Sequence, residues 1–306
     1  MQINIGFGIN NSYVKYTGCA MASILANAKD EDSYKFFIAC DYISDENKTK
    51  LESLKYIKDF DIEYVQVNPD EFKDLFSAEF IDISVFYRLL LFSLESVDKI
   101  LYLDSDITVR ADVAELYSID IEDYSLAAVE DVFAETFKKN FCLSESATYI
   151  NSGVMLLNLK KLREIDIIAE LHNLPECFDN VVFGDQDVIN HLFQNKILIL
   201  NSRWNAAKDV FYEELGREDV PSIIHYITSE KPWKLNSNAY SKEEYFKYLK
   251  LTPWYGDVMP VSKSEVIIRE NICDIFEIQC SQENVQKYKD IIEEVKMIIT
   301  QKLNPL

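Results

Sequence analysis

The segment from Lys99 to Val109 constrains the fold most, because a short apolar run within it ends in two closely spaced aspartates. Residues 100–103 are typical of a buried strand, and Asp104 and Asp106 follow at its carboxyl end. Residues two apart in a strand point to the same side, so these carboxylates converge and repel each other by about 4 kcal/mol at an effective dielectric of about 20. A divalent cation with oxygen ligands would offset that repulsion. The alternative is a solvated turn after a strand, because Asp and Ser are common turn residues.

Apolar strands and amphipathic helices alternate along the first part of the chain. The strands are predicted near residues 3–7, 34–40, 62–67 and 100–103. This alternation predicts an α/β fold with a mainly parallel sheet and helices on both faces. Ligands bind such sheets outside the carboxyl ends of the strands. The polar loop at residues 10–13 and the aspartate pair would both lie at that edge.

Charge and cysteine usage limit the partners. The 306 residues carry 31 basic and 52 acidic side chains, a net charge of −21, which argues against nucleic acid and limits any membrane association to a peripheral one. The six cysteines include no Cys-x-x-Cys pair, which is typical of reduced thiols in a cytoplasmic protein. No secretory signal is visible, and no apolar run approaches the ~20 residues of a membrane span.

The glycine pattern argues against a phosphate held by backbone amides alone. The chain has seven glycines, and neither a dinucleotide-binding Gly-x-Gly-x-x-Gly fingerprint nor a Gly-Lys-Ser/Thr phosphate loop is present. A phosphate group held through a metal ion fits the sequence better.

Several polar residues interrupt otherwise apolar segments. Arg88 is the only charge in a predicted helix over residues 84–94, where it either faces a cleft or snorkels to the surface. The sequence Asn151-Ser152-Gly153 interrupts a predicted strand, and a glycine there indicates a bulge or the close approach of a ligand. Residues 184–187 open a predicted helix, where the acids suit the N-terminus and alone would indicate only a cap. His225 lies in a late strand predicted over residues 223–226, and a lone histidine in a strand is more often structural than metal-binding.

The composition changes after residue 236. An aromatic-rich segment leads to an amphipathic helix with an apolar stripe from Val285 to Ile299. We expect two domains, a catalytic domain over residues 1–236 and an aromatic-rich, helical extension over residues 237–306. The stripe spans only about two heptads, so packing within its own domain is favoured over pairing with a partner.

Four motifs, taken in order, resemble those of glycosyltransferase family eight, the family of glycogenin and the bacterial lipooligosaccharide galactosyltransferases. They are Tyr102-Leu103-Asp104-Ser105-Asp106, Asn151-Ser152-Gly153, Gly184-Asp185-Gln186-Asp187, and His225 followed by Lys231-Pro232-Trp233. The similarity runs from about residue 1 to Trp233. It implies the GT-A nucleotide-sugar-binding fold, with a single mixed sheet. It also implies manganese, or magnesium, as cofactor and retaining transfer of a hexose from its uridine diphosphate carrier.

The resemblance also assigns roles by position. Asp104, Asp106 and His225 would hold the metal, and Lys231 would neutralise the diphosphate leaving group. Arg88, Asn151 and Asp185 would bind sugar hydroxyls, while Gln186 would lie near the anomeric carbon. The catalytic group implied is Gln186, Asp185 and Lys231, and the donor site is completed by Asn10, Asn11, Tyr13 and Ser105. The implied partners are a uridine diphosphate hexose and a glycan, lipid-linked or protein-linked sugar acceptor; galactose or glucose as donor sugar and the oligomeric state stay open.

Two departures from the family pattern affect donor binding rather than the metal ligands. The family's first loop commonly offers an acidic residue to uracil, where this chain has Asn10 and Asn11, whose amides can still donate and accept hydrogen bonds. Thr228 stands where a glycine usually follows the metal-binding histidine. These departures motivate one alternative, an inactive homologue that binds the donor without turnover.

A second alternative belongs to another enzyme class. Asp104-Ser105-Asp106-Ile107-Thr108 fits the Asp-x-Asp-x-Thr motif of haloacid dehalogenase-type phosphohydrolases, with Asp104 as nucleophile and magnesium as metal. That motif usually lies near the start of its domain, whereas three strand–helix units precede it here. This alternative also leaves His225, Lys231 and Trp233 without a role.

Overall fold

A seven-stranded sheet positions the residues singled out above. The computed structural model describes residues 1–72, 82–131, 143–174, 184–207, 220–227, 231–234 and 237–258. Its strands are β1 (Gln2–Gly8), β2 (Ser33–Cys40), β3 (Asp61–Gln66), β4 (Lys99–Leu103), β5 (Ile107–Val109), β6 (Leu126–Glu130), β7 (Ile150–Asn158), β8 (Ile197–Ile199) and β9 (Ile223–His225). The strand order of the large sheet is β3-β2-β1-β4-β7-β6-β8. Only β7 runs antiparallel to its neighbours, β4 and β6, so the predicted mixed, mainly parallel sheet is confirmed.

The helices pack on both faces of this sheet. The α-helices are α1 (Val14–Ala26), α2 (Asp45–Ser53), α3 (Ala114–Tyr117), α4 (Leu159–Leu162), α5 (Ile167–His172), α6 (Asp185–Phe193), α7 (Lys242–Leu249) and α8 (Tyr255–Val258). Short 3₁₀ helices span Leu54–Tyr56, Pro69–Glu71 and Ser202–Trp204, and a longer one spans Ile83–Ser93. Apolar residues alternate between two cores: Leu101 and Leu103 face the α1 side, while Ile100 and Tyr102 face the Ile83–Ser93 side.

One predicted helix differs in detail from the observed one. The helix predicted over residues 84–94 exists as Ile83–Ser93 but has 3₁₀ geometry, and the side chain of Asp82 caps it by accepting from Ser84 N at 2.9 Å. It packs tightly on β1, because a Cβ on Gly8 would lie 2.6 Å from Arg88 N. The helix α2 ends at Ser53 and is followed directly by the single 3₁₀ turn Leu54–Tyr56.

Residues that follow β9 pack on α1. Cys19 on α1 donates to Tyr245 O at 3.5 Å, and Trp254 covers Gly18, where a Cβ would lie 2.2 Å from the indole ring. The chain divides into two compact units, Met1–Val258 and Met259–Leu306. The domain division after residue 236 stays a prediction, and the terminal amphipathic helix lies outside the described residues.

Two further predictions bear on redox state and on membranes. Cys19 and Cys40 are free, buried thiols, and the other four cysteines lie outside the described ranges. Within the part of the chain that the structure describes, no helix is both long enough and apolar enough to cross a membrane.

Candidate active site

Two short strands bring the aspartate pair and His225 together. Asp104 and Asp106 lie in the connection between β4 and β5, and β9 pairs antiparallel with β5 so that Ile107 lies opposite His225. His225 Nε2 lies 3.2 Å from Asp106 Oδ1 and 3.6 Å from Asp104 Oδ2. One ligand atom from each of the three residues lies within 4.8 Å of the others. The register of a two-stranded ribbon therefore builds the cluster.

Gly153 makes room for this cluster on the neighbouring strand β7. Its carbonyl accepts from Asp104 N at 2.8 Å, which fixes the backbone at the end of β4. A Cβ on Gly153 would lie 2.1 Å from His225 Cε1 and 2.7 Å from Asp104 Oδ2. The sequence predicted a bulge or the close approach of a ligand at this glycine. The β6–β7 register shifts between Ala128, opposite Met155, and Glu130, opposite Ile150, and the groups that approach Gly153 are side chains of the cluster.

The donor chemistry of the cluster fits a divalent cation. Two carboxylates and an imidazole suit ions such as manganese or magnesium when substrate oxygens complete the coordination. Burial would raise the pKa of Asp106, but His225 and Lys231 together hold it well below its ordinary value. The carboxylate is therefore ionised and able to act as a ligand.

Arg88 lies in the interior, so the snorkelling alternative is wrong. Its side chain is 10% exposed, with Nη2 at 3.1 Å from Asp104 Oδ1 and Nε at 2.9 Å from Asp185 Oδ2. Nη1 donates to Ser152 O at 3.0 Å, and the guanidinium lies over the ring of Tyr102 at 4.7 Å. Burial disfavours the guanidinium charge, but Asp104 and Asp185 more than offset this and raise the pKa of Arg88.

Asp185 is the first residue of α6 and points into the site. Gly184 precedes it with a φ of 64°, a left-handed conformation that favours glycine. The carboxylate pairs with Arg88, so the acids of this motif do more than begin a helix. Burial raises the pKa of Asp185 to about 7, although Arg88 opposes that shift.

Gln186 belongs to a buried polar network beneath the site. Its Oε1 accepts from Ser152 N at 3.0 Å and from Asn151 Nδ2 at 3.2 Å, and its Nε2 donates to Asp131 Oδ2 at 3.2 Å. The Tyr149 hydroxyl donates to Asp187 in the same layer. The structure thus brings Asn151, Asp185 and Gln186 together, next to Arg88.

Lys231 contacts the cluster from the side of β9. Its Nζ donates to the Asp106 carboxylate and to the carbonyl of Tyr226. Two residues on, Trp233 stacks on Tyr16 of α1, with ring centroids 4.0 Å apart and planes inclined by 19°. This stack ties the Lys231–Trp233 segment to the body of the fold.

A cleft of about 200 Å³ opens beside the aspartates. It is lined by Gly8, Ile9, Tyr13, Asp82, Ser84, Val85, Arg88, Asp104, Ser105 and Asp106. The predicted donor-site residues Tyr13 and Ser105 therefore line it, and Asn10 lies at its rim, donating to Asp82 Oδ2 at 3.0 Å. The side chain of Asn11 is engaged elsewhere, accepting from Ser44 N at 2.9 Å. Thr228 lies outside the described residues.

Three further residues of this region carry no sequence pattern that marks a site. Asp82 lines the cleft, Asp131 accepts from Gln186, and Asn205 lies behind His225. Each follows or precedes an apolar segment without any spacing that marks a site. Only the tertiary structure brings them to the cluster.

Comparison with known proteins identifies the family. A profile of the family described as Glycosyl transferase family 8 matches residues 4–237. The chain belongs to this family. The match includes every residue of the cluster and of the polar network beneath it, and family membership decides against the phosphohydrolase alternative. The protein is thus a glycosyltransferase of family 8.

Individual relatives agree with this assignment. General stress protein A of Bacillus subtilis (strain 168) is 28% identical over 264 residues, which cover 80% of this chain and 92% of the relative. Lipopolysaccharide 1,2-glucosyltransferase of Escherichia coli is 29% identical over 269 residues, covering 82% of this chain and 79% of the relative. The crystal structure of the galactosyltransferase LgtC in complex with donor and acceptor sugar analogues has a TM-score of 0.74 at 27% identity. It covers 83% of this chain and 99% of that one.

Proposed function

We propose that this family 8 glycosyltransferase is metal-dependent and transfers a hexose, galactose or glucose, from a uridine diphosphate sugar to a glycan or glycoconjugate acceptor with retention of configuration. The observation that carries the proposal is the cluster of Asp104, Asp106 and His225 beside the cleft, with Lys231 next to it. A lipopolysaccharide glucosyltransferase and a lipopolysaccharide galactosyltransferase among the relatives support a lipid-linked or other glycan acceptor.

The three ligands would hold manganese, or magnesium, against the diphosphate. A bound divalent ion supplies positive charge to the oxygens of the leaving group. Lys231 adds a second cation, which requires its ammonium to turn from Asp106 towards the diphosphate. Little proton transfer to the leaving group is needed, because a diphosphate leaves as an anion. The chain's contribution is therefore mainly electrostatic stabilisation and positioning.

Arg88, Asp185 and the amide network would position the sugar. Asp185, held by Arg88, and Asn151 would accept or donate hydrogen bonds to hydroxyl groups, and Gln186 would lie near the anomeric carbon. Tyr13, Ser105 and Asn10 would complete the donor site on the uridine side. Asn11 would join them only by giving up its contact with Ser44 N. The lining of the cleft supports this assignment, because Tyr13, Ser105 and Arg88 all contribute to it.

A screen of donor hydrolysis tests the proposal. Purified protein is incubated with uridine diphosphate galactose, glucose and other uridine diphosphate sugars, with manganese, with magnesium or with a chelator. We expect uridine diphosphate release from one hexose donor, dependent on the metal and lost in Asp106→Asn and His225→Gln. Donor binding without turnover would establish the inactive homologue instead, and no metal-dependent binding of uridine diphosphate would refute the proposal. The cytoplasmic location and the partner predictions stay predictions.

A further inference from the structure

Asn205 lies directly behind the imidazole of His225, on the side away from the two aspartates. It is 2% exposed and follows the 3₁₀ helix Ser202–Trp204. Its side chain contacts two groups: Nδ2 donates to Asn151 Oδ1 at 2.8 Å, and Oδ1 lies 2.9 Å from His225 Nδ1. Asn205 thus links the polar network beneath the site to a residue of the cluster.

Backbone donors fix the orientation of the Asn151 and Gln186 amides. Gly153 N donates to Asn151 at 3.0 Å, and since a backbone N–H can only donate, the receiving atom must be Oδ1. Ser152 N fixes Gln186 Oε1 in the same way, and that oxygen accepts from Asn151 Nδ2. Two separate contacts therefore identify Oδ1 and Nδ2 of the Asn151 amide.

The orientation of the Asn151 amide determines that of Asn205 and, through it, the proton position on His225. Because Asn151 Oδ1 accepts, the Asn205 atom facing it must be the NH₂ group, and the opposite end of Asn205 is the carbonyl oxygen. A carbonyl oxygen can only accept, so His225 Nδ1 must carry a proton and donate it. The unprotonated position of a neutral ring is then Nε2, the nitrogen that faces Asp104 and Asp106.

We propose that Asn205 is a positioning residue that holds the His225 proton on Nδ1 and so presents Nε2 as the metal-binding atom. The inference rests on the metal site proposed above. Without Asn205, the Nδ1 proton would lose its acceptor, whereas a proton on Nε2 would be accepted by the Asp106 carboxylate 3.2 Å away. A metal ion would then have to displace that proton, and the buried Nδ1–H of the loaded site would lack an acceptor. Loss of such an outer partner of a ligand typically weakens metal binding about 10- to 100-fold.

Metal affinity and the histidine proton test this role without measuring turnover. Binding of Mn²⁺ in the presence of uridine diphosphate is titrated by electron paramagnetic resonance for the parent, Asn205→Ala, Asn205→Asp and Asn158→Ala. Asn205→Asp keeps an acceptor for Nδ1–H. Asn158→Ala removes a buried asparagine that donates to Ile121 O and Tyr124 O, away from the cluster. Thermal melting checks that each variant is folded, and Asn205→Ser repeats the test if the alanine variant is not.

The proton is observed by nitrogen-15 NMR of histidine-labelled protein with Mg²⁺ and uridine diphosphate. The chain has three histidines, so the signals of His225 are assigned by their loss in His225→Gln. We expect a slowly exchanging Nδ1–H in the parent and in Asn205→Asp, and its loss to rapid exchange in Asn205→Ala. We expect the Mn²⁺ dissociation constant to rise about 10- to 100-fold in Asn205→Ala, and to stay within a few fold of the parent value in Asn158→Ala and Asn205→Asp.

Failure of this inference can be separated from failure of the metal site. If the parent binds Mn²⁺ but Asn205→Ala keeps both the affinity and the protected Nδ1–H, Asn205 has no positioning role. An equal loss of affinity in Asn158→Ala would also overturn the inference, because the effect would then follow from any buried asparagine. If the parent fails to bind Mn²⁺, or His225→Gln binds it equally tightly, the proposed metal site itself is wrong.

Discussion

The guanidinium of Arg88 holds one oxygen of Asp104 and leaves the other oxygen to the cluster. Arg88 Nη2 lies 3.1 Å from Asp104 Oδ1, which also accepts from the Tyr102 hydroxyl at 2.7 Å. Asp104 Oδ2 instead points towards His225 Nε2, 3.6 Å away. The carboxylate is therefore fixed in rotation, and it offers one oxygen to an ion.

Arg88→Lys should weaken binding of metal and uridine diphosphate, because a single ammonium cannot reach Asp104, Asp185 and Ser152 together. We expect the apparent metal dissociation constant to rise about 10- to 100-fold, as for other outer partners of ligands. Titration of Mn²⁺ by electron paramagnetic resonance measures it. Arg163→Lys is the matched control, since Arg163 binds the carbonyls of Leu94 and Val97 away from the cleft. Equal affinities in the parent and Arg88→Lys would contradict the role.

Gly153→Ala should displace the imidazole of His225, because the added Cβ would lie 2.1 Å from its Cε1. We expect Mn²⁺ affinity to fall about 100-fold or more while the protein still folds, by analogy with disruption of a ligand's support. Gly256→Ala is the control, because a Cβ there meets nothing within 4 Å. Metal titration and thermal melting of both variants provide the measurement, and unchanged affinity in Gly153→Ala would argue against a metal ion at this cluster.

Lys231→Ala should slow turnover more than it weakens substrate binding. A cation beside a departing diphosphate stabilises the transition state more than the ground state, and loss of one such group costs about 10²- to 10³-fold in kcat. Steady-state kinetics with the hexose donor separate kcat from KM. Lys234→Ala, an exposed neighbour on the same segment, should behave like the parent. A change confined to KM would assign Lys231 to ground-state binding only.

Asp185→Asn should change how stability depends on pH. Burial raises the pKa of Asp185 to about 7, against about 3.9 in an unfolded chain. Between these values the folded state binds more protons, so the free energy of unfolding falls as pH rises. Asp185→Asn removes the titrating group. The free energy of unfolding of the variant, relative to that of the parent, should therefore rise by about 3 kcal/mol from pH 5 to pH 8.

Urea unfolding with a chelator present, at both pH values, measures that difference. Asp98→Asn is the control, because Arg163 holds the pKa of Asp98 below its ordinary value and both states are ionised over this range. If the difference in unfolding free energy between Asp185→Asn and the parent is the same at pH 5 and at pH 8, Asp185 does not titrate in this range.

Transfer should retain the α configuration of the donor. An inverting enzyme needs a base placed to deprotonate the acceptor on the face opposite the leaving group. Among the acids of the four motifs, Asp104 and Asp106 are assigned to the metal, Asp185 is paired with Arg88, and Asp187 accepts from Tyr149. Proton NMR of the anomeric coupling in the product decides the outcome, and a β-linked product would refute retention.

Local patterns predicted the strands and the polar residues at their ends. The aspartate pair after β4, the interruption at Gly153 and the acids that open α6 all follow from spacing along the chain. Asn205 could not be found in this way, because its role depends on two residues that only tertiary pairing brings to its side chain. The 3₁₀ geometry of Ile83–Ser93 was likewise not predictable, since an almost wholly apolar segment has the same composition in either helix type.

The pairing of β5 with β9 has a consequence for biosynthesis. Ile107 faces His225 across this ribbon, and a slip of one residue would turn the imidazole to the opposite face. As the chain is made, Asp104 and Asp106 emerge long before His225, so the complete set of side chains exists only once β9 has docked. A cation or donor that binds the finished cluster would then stabilise only molecules in which β9 pairs with β5 in the correct register. Bound nucleotide and metal would thereby favour completely folded molecules among the newly made copies.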